Sequence, residues 1–151
     1  MTELEKGSSE LLTFKLSQQE YALDIMSVRE IRGWTKTTPM PHAPAFMRGV
    51  INLRGTVLPV MDLAARLGLP PIETTERNVI IVVKCKDGMT GLLVDAVSDI
   101  IALSEEDMQS PPELGTEPGA NTIRSLSLID DRMIRVLELE NIIAKLESAA
   151  A

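Results

Sequence analysis

The sequence predicts a mainly β protein built as two small antiparallel barrels that share one core. Three observations carry this reading. Apolar runs of strand length alternate with short polar turns, an approximate internal repeat divides the chain, and the only helical patterns are two short ones, each closing a repeat.

In "LLTFKL" (11–16) the residues Leu12, Phe14 and Leu16 share one face, and "EYALDI" (20–25) comes after a polar "SQQ" turn, which makes a hairpin. "GVINLRGTVLPVMDLAARLG" (49–68) reads as strand, turn, strand and short helix. Asp62 is the expected N-cap of that helix, Leu63 and Leu67 stand at i,i+4, Gly68 is C′ and Pro70-Pro71 stop it. A second hairpin joins "NVIIVVKC" (78–85) to "TGLLVDAV" (90–97) through Lys86-Asp87-Gly88, where Asp-Gly suits a tight turn. Both of its strands read as buried on both faces, as central strands are. "SEED" (104–107) has the spacing of a helix start, with room for about one turn. The last helix sets Ile142, Ile143 and Leu146 on one stripe. Two segments break the pattern: "TTPMPHAPAF" (37–46), expected as an extended proline-rich loop, and "SPPELGTEPGANT" (110–122), expected as a long mobile one.

The repeat shows as "YALDIMSVREI" (21–31) on "LLVDAVSDII" (92–101), which sets Asp24 on Asp95, and as "NLRGTVLPVMDL" (52–63) on "LIDDRMIRVLEL" (128–139), which sets Val60 on Val136 and Asp62 on Glu138. The expected organisation is a flexible terminus over 1–10, a single domain over 11–147 whose copies run 11–68 and 78–147, and a flexible tail over 148–151.

Composition narrows the function. The 151 residues are 44% hydrophobic and 25% charged, as in ordinary globular proteins. A net charge of −7 with 3% aromatics removes both the electrostatic drive and the stacking platforms of nucleic-acid binding. The single cysteine, Cys85, lies in an apolar run and suits a reducing cytoplasm as a small core residue. No apolar run reaches membrane-span length and the N-terminus has no signal-like segment, so the expectation is a soluble, unexported protein without direct membrane insertion.

Chemistry-bearing constellations are missing. His42, the only histidine, stands between prolines without a nucleophile or an orienting acid beside it. No His/Cys set has metal-ligand spacing, and no Gly-rich phosphate loop or nucleophile elbow occurs. The expectation is therefore no enzyme, no metal and no cofactor. The repeat then separates fold from function: Asp24 and Asp95 recur, and so does the acid at Asp62 and Glu138, which points to turn bonding and capping. Arg54 instead faces Asp130, and Glu30 faces Ile101. A turn is needed in both copies; an arginine is not. Glu30 and Arg54 are expected to pair and so to aim a guanidinium fork across a surface that includes Val28 and Ile31.

"VREIRG", "FMRGVINLRGTVLPVMDL", "GLLVDAVSDII" and "DDRMIRVLELENI" resemble the CheW family of bacterial chemotaxis coupling proteins, from about Leu11 to Leu146. The resemblance implies two intertwined SH3-like five-stranded barrels with short helices, one of them C-terminal, and no enzymatic activity. It implies an adaptor joining the regulatory domain of a CheA-type histidine kinase to the cytoplasmic tips of methyl-accepting chemoreceptors, hence a cytoplasmic protein held near the inner membrane through receptor arrays. Val28, Glu30, Ile31 and Arg54, with Val97 and Ile100 as the opposite wall, correspond to receptor-side positions; Arg48, Gly49 and Val57 correspond to the kinase-facing ones. The loop 110–122 departs from the family pattern, and "LSLIDDRM" lacks a glycine often found there. A coupling protein of a non-flagellar chemosensory pathway is an alternative within the family. A small-ligand-binding or enzymatic β-barrel is one outside it, favoured by a pocket holding perturbed carboxylates.

Overall fold

The structure is a computed structural model that describes residues 8–86, 88–110 and 122–143. Its strands are β1 (Ser8–Leu16), β2 (Gln19–Asp24), β3 (Val28–Gly33), β4 (Met47–Leu53), β5 (Thr56–Asp62), β6 (Val79–Cys85), β7 (Gly88–Val94), β8 (Ala96–Ser104), β9 (Met108–Gln109), β10 (Ile123–Ile129) and β11 (Arg132–Leu137). Helix α1 spans Leu63–Arg66. A second helix, α2, occupies residues 139–143.

The strands form two sheets, ordered β8-β1-β2-β11-β10-β9 and β3-β6-β7-β5-β4. Apart from the two-residue β9, the orders are the same once β1 is matched to β6, β2 to β7, β3 to β8, β4 to β10 and β5 to β11. This is the doubled, intertwined architecture expected. Each sheet takes its strands from both copies, and the seams are the parallel pairs β2–β11 and β5–β7. Even the irregularities recur. A bulge interrupts β3–β6 at Val28/Glu30 and β1–β8 at Leu12/Phe14, and another interrupts β4–β5 at Met47/Gly49 and β10–β11 at Ile123/Ser125.

Local chemistry explains the boundaries. β1 begins at Ser8, ahead of the apolar alternation, because Ser8, Ser9 and Glu10 find partners in Ser104, Leu103 and Ala102. The expected strand 90–97 divides at Asp95, and the expected 20–25 ends at Asp24. Both acids bond backbone amides at these corners: Asp24 Oδ1 accepts from Met26 N at 2.9 Å and Asp95 Oδ2 from Ser17 N at 2.9 Å. "SEED" forms a single 3-10 turn, with Asp107 Oδ2 accepting from Ser104 N and Oγ. Asp87, residues 111–121 and Leu146 lie outside the described residues.

Two-sided burial is a consequence of the intertwining. The even face of β1, with Leu12, Phe14 and Leu16, joins Leu58, Val60, Ile80, Ile81, Leu92 and Leu93 in the main core, while Leu11 turns to a second cluster with Ala22, Leu103, Ile134 and Val136. Each fully buried side chain of this kind contributes about 1.5–3 kcal/mol.

Asp62 ties β5 to helix α1 and to the segment beyond it. Its side chain is 2% exposed; Oδ1 accepts from Ala65 N at 3.0 Å, which caps α1, and Oδ2 accepts from Ile72 N at 3.0 Å and from Arg48 Nη2 at 2.7 Å. The helix ends as neatly: Gly68, at φ +84°, bonds Ala65 O and Leu69 N bonds Ala64 O, the paired bonds of a Schellman stop. Removing Asp62 orphans the cap, the Ile72 amide and a half-buried guanidinium together. Asp62→Ala is expected to lose about 3–5 kcal/mol of stability, read as a lower urea midpoint at unchanged slope.

Candidate functional site

The β4–β5 hairpin turns on two residues in the left-handed region, Arg54 at φ 50° and Gly55 at φ 88°. Asn52 Oδ1 accepts from Gly55 N at 2.8 Å and closes the turn. Such a turn favours Asn, Asp or Gly at its first central position, because a longer L side chain crowds the backbone there. The equivalent hairpin tip in the second copy has the same shape, with Asp130 at φ 49° and Asp131 at φ 65°. Arg54 therefore occupies a strained position that its repeat counterpart fills more easily.

The expected pair is present. Arg54 Nη2 donates to Glu30 Oε1 at 2.6 Å, and the second carboxylate oxygen, Oε2, accepts from Arg32 Nη1 at 3.2 Å. The Arg54 side chain is 70% exposed and that of Glu30 28%. Chiefly through the Arg54 hydrogen bond, and then through Arg32, the Glu30 carboxyl is held below its ordinary range, and the same bond raises the Arg54 guanidinium. A carboxyl held this way is an acceptor, not a proton donor near neutral pH. This is the opposite of the tuning a general acid needs.

The remaining receptor-side positions divide between two edge strands. Glu30 and Arg32 share a face of β3, whereas Ile31, 46% exposed, lies on the other. Val28 packs against the main core. On β8, Val97 pairs with Phe14 and packs on the same core, while Ile100 pairs with Leu12 and is 56% exposed.

The kinase-facing positions behave unlike one another. The Arg48 guanidinium turns inward to Asp62 and the Ile72 carbonyl, with its side chain 28% exposed. Arg48 is the extra residue of its bulge, and Arg124 stands at the matching bulge of the second copy. Gly49 is buried at φ 134°, where a Cβ would strike the Thr38 carbonyl across the isolated Thr38–Val50 bridge. Val57, three rungs along the hairpin, is 68% exposed.

Sequence reasoning missed two features. Arg32 could have been found from its i,i+2 spacing to Glu30, which shares a strand face. The second was hidden: Arg132 chelates Glu20 through Nε and Nη2 at 2.9 Å each and lies 3.8 Å from Asp99. The second copy's hairpin thus carries its own arginine, paired with the interior strand β2 and near Asp99 of the edge strand β8, on positions that the repeat alignment does not match. Its arginine sits in a regular strand and is held by two acids. Arg54 bonds one oxygen from a strained turn.

The CheW-like domain family model matches residues 10–147. The chain belongs to this family. It is 51% identical over 148 residues, 98% of this chain and 96% of the relative, to the "Probable chemotaxis protein CheW" of Rhizobium etli. Against the "Chemotaxis protein CheW" of Bacillus subtilis the identity is 32% over 151 residues, covering 100% and 97% of the two chains. Among solved structures it is similar to the scaffolding protein TtCheW from Thermoanaerobacter tengcongensis, with a TM-score of 0.81, 32% identity, and 89% and 91% of the chains covered. The CheW-like architecture accounts for the pseudo-symmetric sheets. Among the described residues, no helix is long and apolar enough to cross a membrane.

The geometry sets two expected outcomes. Because the folded-state carboxyl value of Glu30 is lowered, its paired form is complete above the ordinary carboxylate value and is lost as pH falls through the lowered one. Carbon-13 carboxyl titration should place Glu30 below 4.5 and move it upward in Arg54→Ala. Gly49→Ala should lose about 1–3 kcal/mol of stability by forcing a left-handed alanine against Thr38, read by thermal denaturation.

Proposed function

We propose that this chain is a non-enzymatic adaptor of chemotaxis signalling that couples a CheA-type histidine kinase to the cytoplasmic tips of methyl-accepting chemoreceptors. The observation that carries the reading is Arg54, a largely exposed guanidinium kept on a strained turn and engaged through one nitrogen by Glu30. Stability gives little reason for such a residue, because an exposed ion pair adds little. Recognition gives a better one: arginine is favoured where a few anchors dominate an interface.

In this reading Val28, Glu30, Ile31 and Arg54 around the edge strand β3, with Val97 and Ile100 on β8, receive the helical hairpin of a receptor tip in the helix-in-groove manner. Val57, with the β4 backbone at Arg48 and Gly49, faces the kinase's regulatory domain; Arg48 and Gly49 act there by holding the strand's shape. Two modest contacts on one rigid body then raise the effective concentration of kinase at receptor. The protein works in the cytoplasm, and its membrane association comes through the receptors.

The test separates recognition from folding. Arg54→Asn suits the turn better than arginine, so its thermal midpoint should equal or exceed the wild-type value. Its affinity for a receptor-tip fragment, measured by titration calorimetry, should fall at least tenfold. Equal affinity would leave Arg54 a turn residue only; a folded wild type that binds no tip fragment would remove the receptor assignment.

A further inference from the structure

Glu30 divides its carboxylate between two arginines of unlike surroundings. Arg54 reaches it from an exposed turn, whereas Arg32 lies on the same strand, 32% exposed, with its Nε buried and without a hydrogen-bond partner. An unsatisfied buried donor costs stability, and an apolar residue would avoid that cost. Arg32 sits on the edge strand β3, opposite Ile80, where many side chains would serve the sheet.

We infer that Arg32 is a positioning residue for the receptor contact: by anchoring one oxygen of Glu30 it fixes the other, and with it the Arg54 fork. This rests on the receptor reading above.

The Arg32 anchor removes conformational freedom. A glutamate tied at one oxygen can still rotate about its side-chain bonds, and an arginine on a hairpin tip has still more rotamers to lose on binding. Among the described residues, Glu30 is the only hydrogen-bond partner of the Arg54 side chain. The chain of restraint therefore runs Arg32 to Glu30 to Arg54, and it ends at the more exposed of the two guanidiniums, whose remaining nitrogens face water. The restraint is in place before the partner arrives, which lowers the ordering cost of binding. The three side chains also carry a net positive charge on a protein whose total is −7, so the site is a local attractor for acidic groups.

The experiment uses the full chain and two readouts. In free protein, nitrogen-15 relaxation of the Arg54 guanidinium should show an ordered side chain in the wild type. In Arg32→Gln that order should fall to the level seen in Glu30→Gln, with the circular dichroism spectrum unchanged. Titration calorimetry against a receptor-tip fragment should then show Arg32→Gln three- to tenfold weaker, with no further loss when it is added to Glu30→Gln. Arg32→Lys, which keeps the charge, should recover part of both. Unchanged Arg54 order in Arg32→Gln, or losses that multiply in the double variant, would overturn the inference. A wild type that fails to bind the fragment would overturn the receptor reading instead, and the two failures are distinct because side-chain order is read without any partner.

Discussion

The parallel pairings of β2 with β11 and of β5 with β7 are the joints on which the rest of the molecule depends. Each joins a strand of the first copy to one of the second, so neither copy can complete a sheet by itself. The shared core is a consequence, because β1 and β6 come to lie between strands on both sides and bury both faces. The contacts that close each sheet are far apart in sequence: Leu11 meets Ile101 in one, and Val28 meets Val83 in the other. Closure on this scale carries a large entropic cost before any burial offsets it. The two copies therefore stand or fall together.

Polar side chains gather at these joints. Asp62, at the end of β5, collects the α1 cap, the Ile72 amide and Arg48 in one buried carboxylate. Arg66, at the last turn of α1, donates to the carbonyls of Asn141 and Ile142, so the helix ending one copy satisfies the helix ending the other. The Arg66 guanidinium lies over the Phe46 ring, and burial pulls it below the ordinary arginine value. Arg132 and Glu20 bind β11 to β2 beside the parallel seam. Backbone groups that a helix end leaves open are thus met by charged side chains.

The surface proposed for recognition lies where the fold is least self-sufficient. β3 is an edge strand, the β4–β5 tip is strained, and Ile31, Val57 and Ile100 present apolar area to water. Edge strands and exposed apolar residues invite partners. This edge differs from the matching one on β8 in how its charges are held. There Arg132 is chelated by Glu20 from the neighbouring strand and lies near Asp99 at the β8 bulge. Here the carboxylate is shared and the outer arginine remains open.

Local chemistry made much of this visible in advance. Period-two alternation marks β1, largely apolar runs mark the central strands β6 and β7, and Asp62 and Gly68 bracket α1 because capping depends only on neighbours along the chain. The pairing of Glu30 with Arg54 was legible as well, because the repeat made both residues stand out. The division of the strand at Asp95, the inward turn of Arg48 and the ion pair of Arg132 were not, since each depends on a partner brought close only by folding. By itself the sequence determined that the chain is mainly β, where its main hairpins and helix α1 lie and that the unit is doubled. Only the tertiary structure decided that the copies exchange strands, and so which side chains face one another, because pairing between distant strands is set by the competition among all edges for one shared core.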